Sequence, residues 1–441
     1  MLNRIVIKKQ IGNFNKTITV PGDKSISIRW VLFASIASGK STARNLLMSE
    51  DVKAALNAIK KLGIKVIINK NSCGIYGKGL NGYEYKKKLI IDAENSGTLG
   101  RLILGLLVNC SNTIKLVGDK SLSKRDFKRI ADPLKKFGAQ LKLTNNKFLP
   151  LTIKGSNYTK PIHYYENKGS AQVKSSIILA ALRTSGTTII KAKKSRDHTE
   201  IFCKNLGLPI KVKRTKKFDL IKISKAKNIK ALDYNIPSDI SSSAFFIILT
   251  SLTKSSKLLI RNVNINSSRT GVIKILKMMG IKIKFQNKKK YKGETIADIY
   301  VKSPKKIKPI ICPTKYNSGA IDEFLSIFLV AAKAQGVSIF KDIGELNQKE
   351  SPRLKWGSKL LNLIGVKNIV TENSIKIFGN PDLKIYKKIE IKNFLKDHRV
   401  FMTSVIAALS FGGSWYIYDK DSIKTSFPNF LNIINQIRNA D

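Results

Sequence analysis

The chain has 441 residues, 43% of them hydrophobic, and a formal net charge of +52 from 81 lysines and arginines against 29 acidic residues. That length argues for two domains. No apolar stretch is long and charge-free enough to span a bilayer, and the start "MLNRIVIKKQ" lacks a signal peptide's design, so a cytoplasmic protein without membrane attachment is expected. Cys73, Cys110, Cys203 and Cys312 are scattered without a CxxC pair, and there are only three histidines. Buried free thiols are therefore expected, with no metal and no cofactor.

Taken in chain order, six polar clusters each open an apolar helical run. The first lies in "VPGDKSISIRWVLFASIASGK" from Val20 to Lys40: a Pro21-Gly22-Asp23 turn, then Lys24 and Ser25 at a helix start, with Arg29 embedded among apolar residues. "ENSGTLGR" follows, with Asn95, Ser96, Gly97, Thr98 and Arg101, and then "KGSAQVKSS", with Ser170, Gln172 and Lys174. "PSDISSSA" (Asp239), "GAIDEF" (Asp322, Glu323) and "KDHR" (Asp397, His398, Arg399) complete the set. Ser, Asp and Asn are what helix N-caps use, and a cap explains each cluster taken singly. Caps leave the companion cations unexplained, whereas an anion seat at the helix N-terminus uses both.

Two markers repeat along the chain. A helix closing on Gly before a strand recurs at Gly63, Gly138, Gly207, Gly280 and Gly365, at intervals of 75, 69, 73 and 85 residues. A helix, small turn and strand recur at Gly39, Asn112, Gly186, Ser256, Gly336 and Gly413, at intervals of 73, 74, 70, 80 and 77. Matching periods imply about six copies of a unit with two helices and several short strands, three to a domain. Runs such as "SSIILAALR", "SAFFIILTSL" and "FLSIFLVAAKA" are too apolar to stand free. They are expected to lie parallel inside, with sheets outside, so that their N-termini converge on one face of each domain. "ALDYNIPSDISSSA" near Pro237 is a candidate crossover.

Arginine usage sharpens the anion reading. In a chain shifted toward lysine, Arg29, Arg101, Arg125, Arg196, Arg353 and Arg399 fall in or beside these clusters or two more, "GDKSLSKRD" and "NQKESPRL". A planar fork that grips carboxylate or phosphate has no lysine substitute. Arg44, Arg129, Arg183 and Arg214 show no such setting. The net charge also admits a nucleic-acid binder. The lysines are instead spread through every segment, without aromatic interleaving or a basic tail, as AT-rich codon usage would spread them.

The motifs "PGDKSISIR", "NSGT", "GDKSLSKR", "SAQVKS", "SRDHTE", "IDE", "KESPRL", "DHR" and "KTSFP", in that order over nearly the whole chain, resemble the 5-enolpyruvylshikimate-3-phosphate synthases, and "SAQVKS" and "RDHTE" their bacterial class II branch. The resemblance implies an α/β, two-domain enolpyruvyl transferase-like fold: three βαβαββ-type units per domain, buried parallel helices and sheets outside. One domain takes residues 1–18 and 239–441, the other 19–238, and domain closure assembles the active site in the cleft. The implied reaction moves the enolpyruvyl group of phosphoenolpyruvate onto the 5-hydroxyl of 3-phosphoshikimate and releases phosphate. This is a step toward chorismate and the aromatic amino acids. The implied partners are these small anionic substrates, with no specific nucleic acid and no membrane, and a monomer is expected.

Carried over residue by residue, the resemblance gives Ser25 and Arg29 the shikimate carboxylate, and Ser170, Ala171, Gln172, Ser195 and Arg196 its phosphate. Lys24 and Lys349 also meet this substrate. Lys24, Asn95, Gly97, Arg125, Gln172, Arg353, Arg399 and Lys424 face phosphoenolpyruvate. Asp322 serves the attacking hydroxyl, Glu350 the methylene carbon, and Lys24 the developing charge. The chain departs from the family pattern at Asn347 and Gln348 and at Pro352, which bears on the aim of Arg353, and at Asp126, a possible competitor for Arg125. Class II members resist the inhibitor glyphosate with an alanine where this chain has Gly97, so competitive inhibition by glyphosate is expected. The sister enzyme acting on a UDP-linked amino sugar is the nearest alternative; its loop cysteine has no counterpart in "GDKSLSKRDF", leaving Asp119 and Asp126 as its only foothold.

Overall fold

A computed structural model describes residues 3–438. The chain forms two compact units. The split unit takes the chain up to Pro21, Pro237–Lys290 and everything from Thr295; the inserted unit takes Gly22–Ile236 and Tyr291–Glu294. The crossings thus fall at 21/22 and 236/237, where 18/19 and 238/239 were expected, and a four-residue hairpin tip is a further exchange. The shift has a local cause: the backbone N–H of Asp239 donates to the carbonyl of Pro21 and that of Ser238 to Asn262, so both flanks of the crossing are tied into the split unit.

The split unit opens with β1 (Arg4–Ile7) and β2 (Asn15–Ile18). The inserted unit follows as α1 (Lys24–Ser35), β3 (Ser38–Arg44), α2 (Glu50–Lys61), β4 (Lys65–Ile68) and β5 (Ser72–Lys78). Its second repeat is β6 (Leu89–Asp92), α3 (Gly97–Leu106), β7 (Ile114–Val117), α4 (Lys128–Lys136), β8 (Gln140–Thr144) and β9 (Phe148–Lys154). The third is β10 (His163–Glu166), α5 (Ala171–Ala181), β11 (Thr187–Lys193), α6 (His198–Asn205), β12 (Ile210–Arg214) and β13 (Phe218–Ser224), and β14 (Tyr234–Asn235) ends the unit. Each repeat makes a four-stranded sheet, in the orders β14-β3-β5-β4, β6-β7-β9-β8 and β10-β11-β13-β12. In every case the first pair is parallel and the others antiparallel. The first repeat has no strand before α1, and β14, last in sequence, supplies it.

The split unit resumes with α7 (Ile240–Leu252), β15 (Lys257–Asn264), α8 (Gly271–Met278), β16 (Lys282–Tyr291) and β17 (Glu294–Lys302), and β2 completes that sheet as β16-β17-β15-β2. Next come α9 (Asn317–Ala320), α10 (Phe324–Ala332), β18 (Val337–Phe340), α11 (Arg353–Leu363), β19 (Asn368–Val370) and β20 (Ile375–Phe378). The last elements are β21 (Lys388–Ile391), α12 (His398–Phe411), β22 (Ser414–Tyr418) and α13 (Phe430–Arg438). These two repeats depart from the full βαβαββ pattern, each sheet having three strands, β18-β20-β19 and β1-β22-β21. In the former only an isolated parallel bridge, Ile311 to Ile339, stands where the first strand would be. In the latter β1 replaces the closing hairpin, antiparallel to β22.

Each unit has its own hydrophobic core. The helices α1, α3, α5, α7, α10 and α12 are buried on nearly every face, as their apolar sequences require. The side chains of Asp23, Ser96, Ser170, Asp239 and Asp397 accept backbone N–H groups at the starts of five of these. The caps read from the sequence are therefore real, and the cations are present beside them. All four cysteines are buried free thiols. Among the described residues no helix is long and apolar enough to cross a membrane.

Candidate active site

In the inserted unit, three helix starts are joined by side chains. From the second turn of α1, Arg29 Nε donates to Thr199 Oγ1 at 2.8 Å, Nη2 to Ser175 Oγ on α5 at 3.1 Å, and Nη1 to the Ser25 carbonyl at 3.0 Å. Between α3 and α5, Arg101 Nη1 donates to Gln172 Oε1 at 2.8 Å, and Gln172 Nε2 to Thr98 Oγ1 at 3.2 Å. Arg101 lies over the Phe127 ring, 4.9 Å from its centroid, so the buried guanidinium keeps an aromatic face beneath it. Arg125 donates to Asn95 and Ser121, and Asn95 passes a 2.6 Å bond to Asp119. At Gly97 a Cβ would stand 2.8 Å from Arg101 Nη1 and 3.2 Å from Arg125 Nη1, so the two guanidinium tips close over a bare backbone position.

At the start of α1, Lys24 Nζ forms a 2.8 Å ion pair with Asp51 in the first turn of α2. Asp51 is also one of several acids whose charges act on Glu94. Burial, and then the neighbouring charges of Asp92, Glu50, Asp51 and Asp119, push the Glu94 carboxyl above its ordinary pKa.

In the split unit, one buried carboxylate organises the cluster. Asp397 caps α12 through the N–H of Arg399 at 2.9 Å, accepts from Ser351 Oγ at 2.8 Å, and takes Arg353 Nε at 2.9 Å and Nη2 at 3.2 Å. Arg353, at the start of α11, also reaches Glu350 and, at 3.4 Å, Asp322. Burial opposes the charge on Arg353, but the carboxylates of Asp397 and then Glu350 outweigh it and raise its pKa. The same balance holds Asp397 below the usual carboxylate range: burial alone would raise it, and the Arg353 charge overrides. Lys349 Nζ stands 3.7 Å from Asp322. Arg399 Nη1 donates to the Asp322 carbonyl at 2.7 Å and lies 3.4 Å from Glu323, which accepts from Ser241 on α7 at 2.5 Å. The starts of α7, α10 and α12 thus meet, as those of α1, α3 and α5 do.

The sequence matches the family described as EPSP synthase (3-phosphoshikimate 1-carboxyvinyltransferase) over residues 8–434. The chain belongs to the EPSP synthase family. It is 40% identical to the 3-phosphoshikimate 1-carboxyvinyltransferase of Ruthia magnifica over 98% of this chain and 97% of that one. It is 35% identical to the protein of that name from Bacillus cytotoxicus over 96% and 98%. The solved EPSP synthase of Acinetobacter baumannii superimposes with a TM-score of 0.86 at 34% identity, covering 99% and 98% of the two chains. The enolpyruvyl transferase NikO of Streptomyces tendae shares the fold, with a TM-score of 0.77 at 12% identity.

Within this EPSP synthase framework, the residues expected to form a site fall into two groups, one per unit. Lys24, Ser25, Arg29, Asn95, Gly97, Ser170, Ala171 and Gln172 lie at the helix starts of the inserted unit, and Arg125 reaches Asn95 there from the segment before α4; Asp322, Lys349, Glu350, Arg353 and Arg399 gather in the split unit. Ser195 Oγ is buried without a hydrogen-bond partner among the described residues, and Arg196 is half-buried beside it. Lys424 is 56% exposed and pairs with Asp421 at 2.9 Å, and the adjoining Thr425 lies 3.2 Å, hydroxyl to ring nitrogen, from His398 at the start of α12. The Asp126 carboxylate accepts the Arg129 N–H at 3.4 Å and its carbonyl accepts from Arg101, while Arg125 is held by Asn95 and Ser121. Pro352 caps α11 and Arg353 begins it, aimed at Asp397. Cys110, expected late in the helix, is buried just beyond it in the loop between α3 and β7.

Several participants carry no local sequence signal. Arg214, which shows no anion setting in sequence, reaches Asp197 from β12. Arg269 donates to Ser241 at 2.7 Å and to Asp239 at 3.3 Å. Asp51 and Thr199 sit in ordinary helix-start positions. Only the tertiary fold shows what they hold.

Proposed function

We propose that the chain performs the reaction of its family, moving the enolpyruvyl group of phosphoenolpyruvate to the 5-hydroxyl of 3-phosphoshikimate with release of phosphate, and that the two helix-start clusters act together in it. The observation carrying this reading is the gathering of buried guanidinium groups at two sets of converging helix starts, with Asp322 and Glu350 both at Arg353 in one of them. Two substrates that each bear a carboxylate and a phosphate need several fixed cations to be brought together, and positioning of this kind is worth roughly 7–11 kcal/mol.

In the assignment, Ser25 and Arg29 take the shikimate carboxylate, and Ser170, Ala171, Gln172, Ser195 and Arg196 its phosphate. Lys24, Asn95, Gly97, Arg125, Gln172, Arg353, Arg399 and Lys424 receive phosphoenolpyruvate, and Lys24 and Lys349 also serve the acceptor. The new bond joins the 5-oxygen to the phosphate-bearing carbon, so the hydroxyl must lose a proton and the methylene gain one. Asp322 accepts the first and Glu350 delivers the second. Removing a proton from the resulting methyl group, with loss of phosphate, restores the double bond. Arg353 now holds both acids, so phosphoenolpyruvate, on binding Arg353, takes a place that Glu350 and Asp322 now share, releasing them toward the reacting atoms.

Phosphate release from phosphoenolpyruvate, assayed with and without 3-phosphoshikimate, tests the reading. Release should require the acceptor and fall by at least 100-fold in Glu350→Gln and in Lys24→Met. Full turnover in both variants would refute the roles. Release dependent on a UDP-linked amino sugar instead would refute the substrate.

A further inference from the structure

We propose that Thr199, together with Ser175, is a positioning residue that sets the plane of the Arg29 guanidinium and so determines how strongly the enzyme selects an acceptor bearing a carboxylate. The inference rests on the reading of Arg29 as the carboxylate seat, and adds to it residues that need touch neither substrate.

Arg29 is only 3% exposed, and an arginine grips a carboxylate bidentately only when its planar fork faces it. Three of its nitrogens are fixed from behind by oxygens: Nε by Thr199 Oγ1, Nη2 by Ser175 Oγ and Nη1 by the Ser25 carbonyl. Thr199 Oγ1 donates its own hydrogen to Ser175 Oγ at 2.7 Å, so the two hydroxyls form one chain and neither rotates independently.

The residues next to these two form a second link between the same helices. Lys174 Nζ lies 2.7 Å from Glu200 Oε1, with exposures of 0% and 2%, a close ion contact that falls outside hydrogen-bond geometry. Such a buried pair adds little net stability but specifies register. Here it locks the first turn of α6 against α5, and holds Thr199 at the distance Arg29 requires. The same turn of α6 follows directly on Ser195 and Arg196, so one staple sets both the carboxylate and the phosphate seats. Lys174, Ser175, Thr199 and Glu200 are among the residues of "SAQVKS" and "SRDHTE" that substrate contact leaves unexplained.

The test is steady-state kinetics of Thr199→Val, Thr199→Ser and Ser175→Ala, with 3-phosphoshikimate and with its carboxamide analogue as acceptor. Thr199→Val should raise KM for 3-phosphoshikimate about tenfold, the low end of what one hydrogen bond to a charged group supplies. The KM for phosphoenolpyruvate and kcat should stay within about twofold, and the preference for carboxylate over carboxamide should shrink by the same tenfold. Thr199→Ser should restore the parent values. Ser175→Ala, which leaves α6 intact, should show the same split, and decides the matter if Thr199→Val does not fold. An unchanged KM for 3-phosphoshikimate, an equal rise for both substrates, or an undiminished preference for the carboxylate would overturn the proposal. Arg29→Met separates the two layers: if it leaves that KM unchanged the carboxylate seat itself is misplaced, whereas a large rise there with none in Thr199→Val condemns only the clamp.

Discussion

Gly97 shows how far a single residue can be read. In sequence it is a small residue at a helix start; in the structure its missing Cβ is what lets Arg101 and Arg125 approach to 2.8 and 3.2 Å of that position. Gly97→Ala should therefore push both guanidinium tips outward, raise KM for phosphoenolpyruvate several-fold and weaken inhibition by glyphosate considerably more, since the parent enzyme with glycine is expected to be inhibited competitively. Inhibition constants for the two proteins at several phosphoenolpyruvate concentrations check this, and equal constants would count against it. Asp397 carries a second prediction. Its folded pKa lies below the ordinary Asp value of about 3.9, so its contribution to stability is present in full above about pH 4 and is lost as pH falls through the folded value. Asp397→Asn takes away the buried carboxylate at Arg353 and leaves only the partly exposed Glu350 and Asp322 as counter-charge, which should cost about 3 kcal/mol at pH 7. Urea unfolding should also show the variant losing less further stability than the parent between about pH 5 and pH 2.5, because the titrating group is gone. The residue types were legible because arginines stand out against a lysine-rich background. Their partners were not: nothing local to Thr199, Asp51 or Arg269 distinguishes a clamp from a surface polar residue.

At the scale of elements, legibility depended on whether a glycine's role is local. Gly63, Gly138, Gly207, Gly280 and Gly365 all have φ between 66° and 108°, the left-handed turn that ends a helix, and this demand is written in the adjoining helix and strand. A second set of glycines was silent. A Cβ at Gly77, at the end of β5, would meet the carbonyls of Ala37 and Ala34 at 2.2 and 2.3 Å; one at Gly379, just past β20, would meet those of Ala334 and Ala331 at 2.3 and 2.6 Å. In both repeats the closing strand passes directly over the end of the buried helix, a contact set by tertiary packing that no local pattern announces. The two kinds should respond differently to a methyl group. Gly365→Ala meets open space and only the cost of its φ of 78°, about 1–2 kcal/mol. Gly379→Ala has no φ penalty but forces backbone apart and should cost about 3 kcal/mol or more. Thermal or urea unfolding of the pair checks the order, and the reverse order would show that the strand can slide off the helix end at little cost. The missing strands of the split unit's last two repeats were illegible for a related reason: the helix and glycine markers persist there although the sheet has lost a member.

For the whole molecule, a net charge of +52 and a site for two anions make opposite demands on salt that an assay can separate. The surface field arises from lysines spread over both units, acts through solvent and is screened over about 8 Å at physiological ionic strength. Two of the guanidinium groups assigned to the substrates, those of Arg29 and Arg353, are buried at 3% and 2% exposure, and Arg125, Arg196 and Arg399 are half-buried, so their interactions are screened less than those of the surface lysines. Raising sodium chloride from about 10 to 300 mM should therefore lower kcat/KM for both anionic substrates by up to about tenfold through slower capture, while kcat moves little. Adsorption to duplex DNA, which depends on the surface field alone, should be detectable at the low end and vanish well before the high end, with a steep slope of log affinity on log salt. Steady-state kinetics and fluorescence anisotropy across one salt series make the comparison. Turnover that collapsed in parallel with DNA binding would mean that the substrates are held by the same exposed lysines and not by the buried forks, and the assignment of arginines to the two clusters would have to be abandoned.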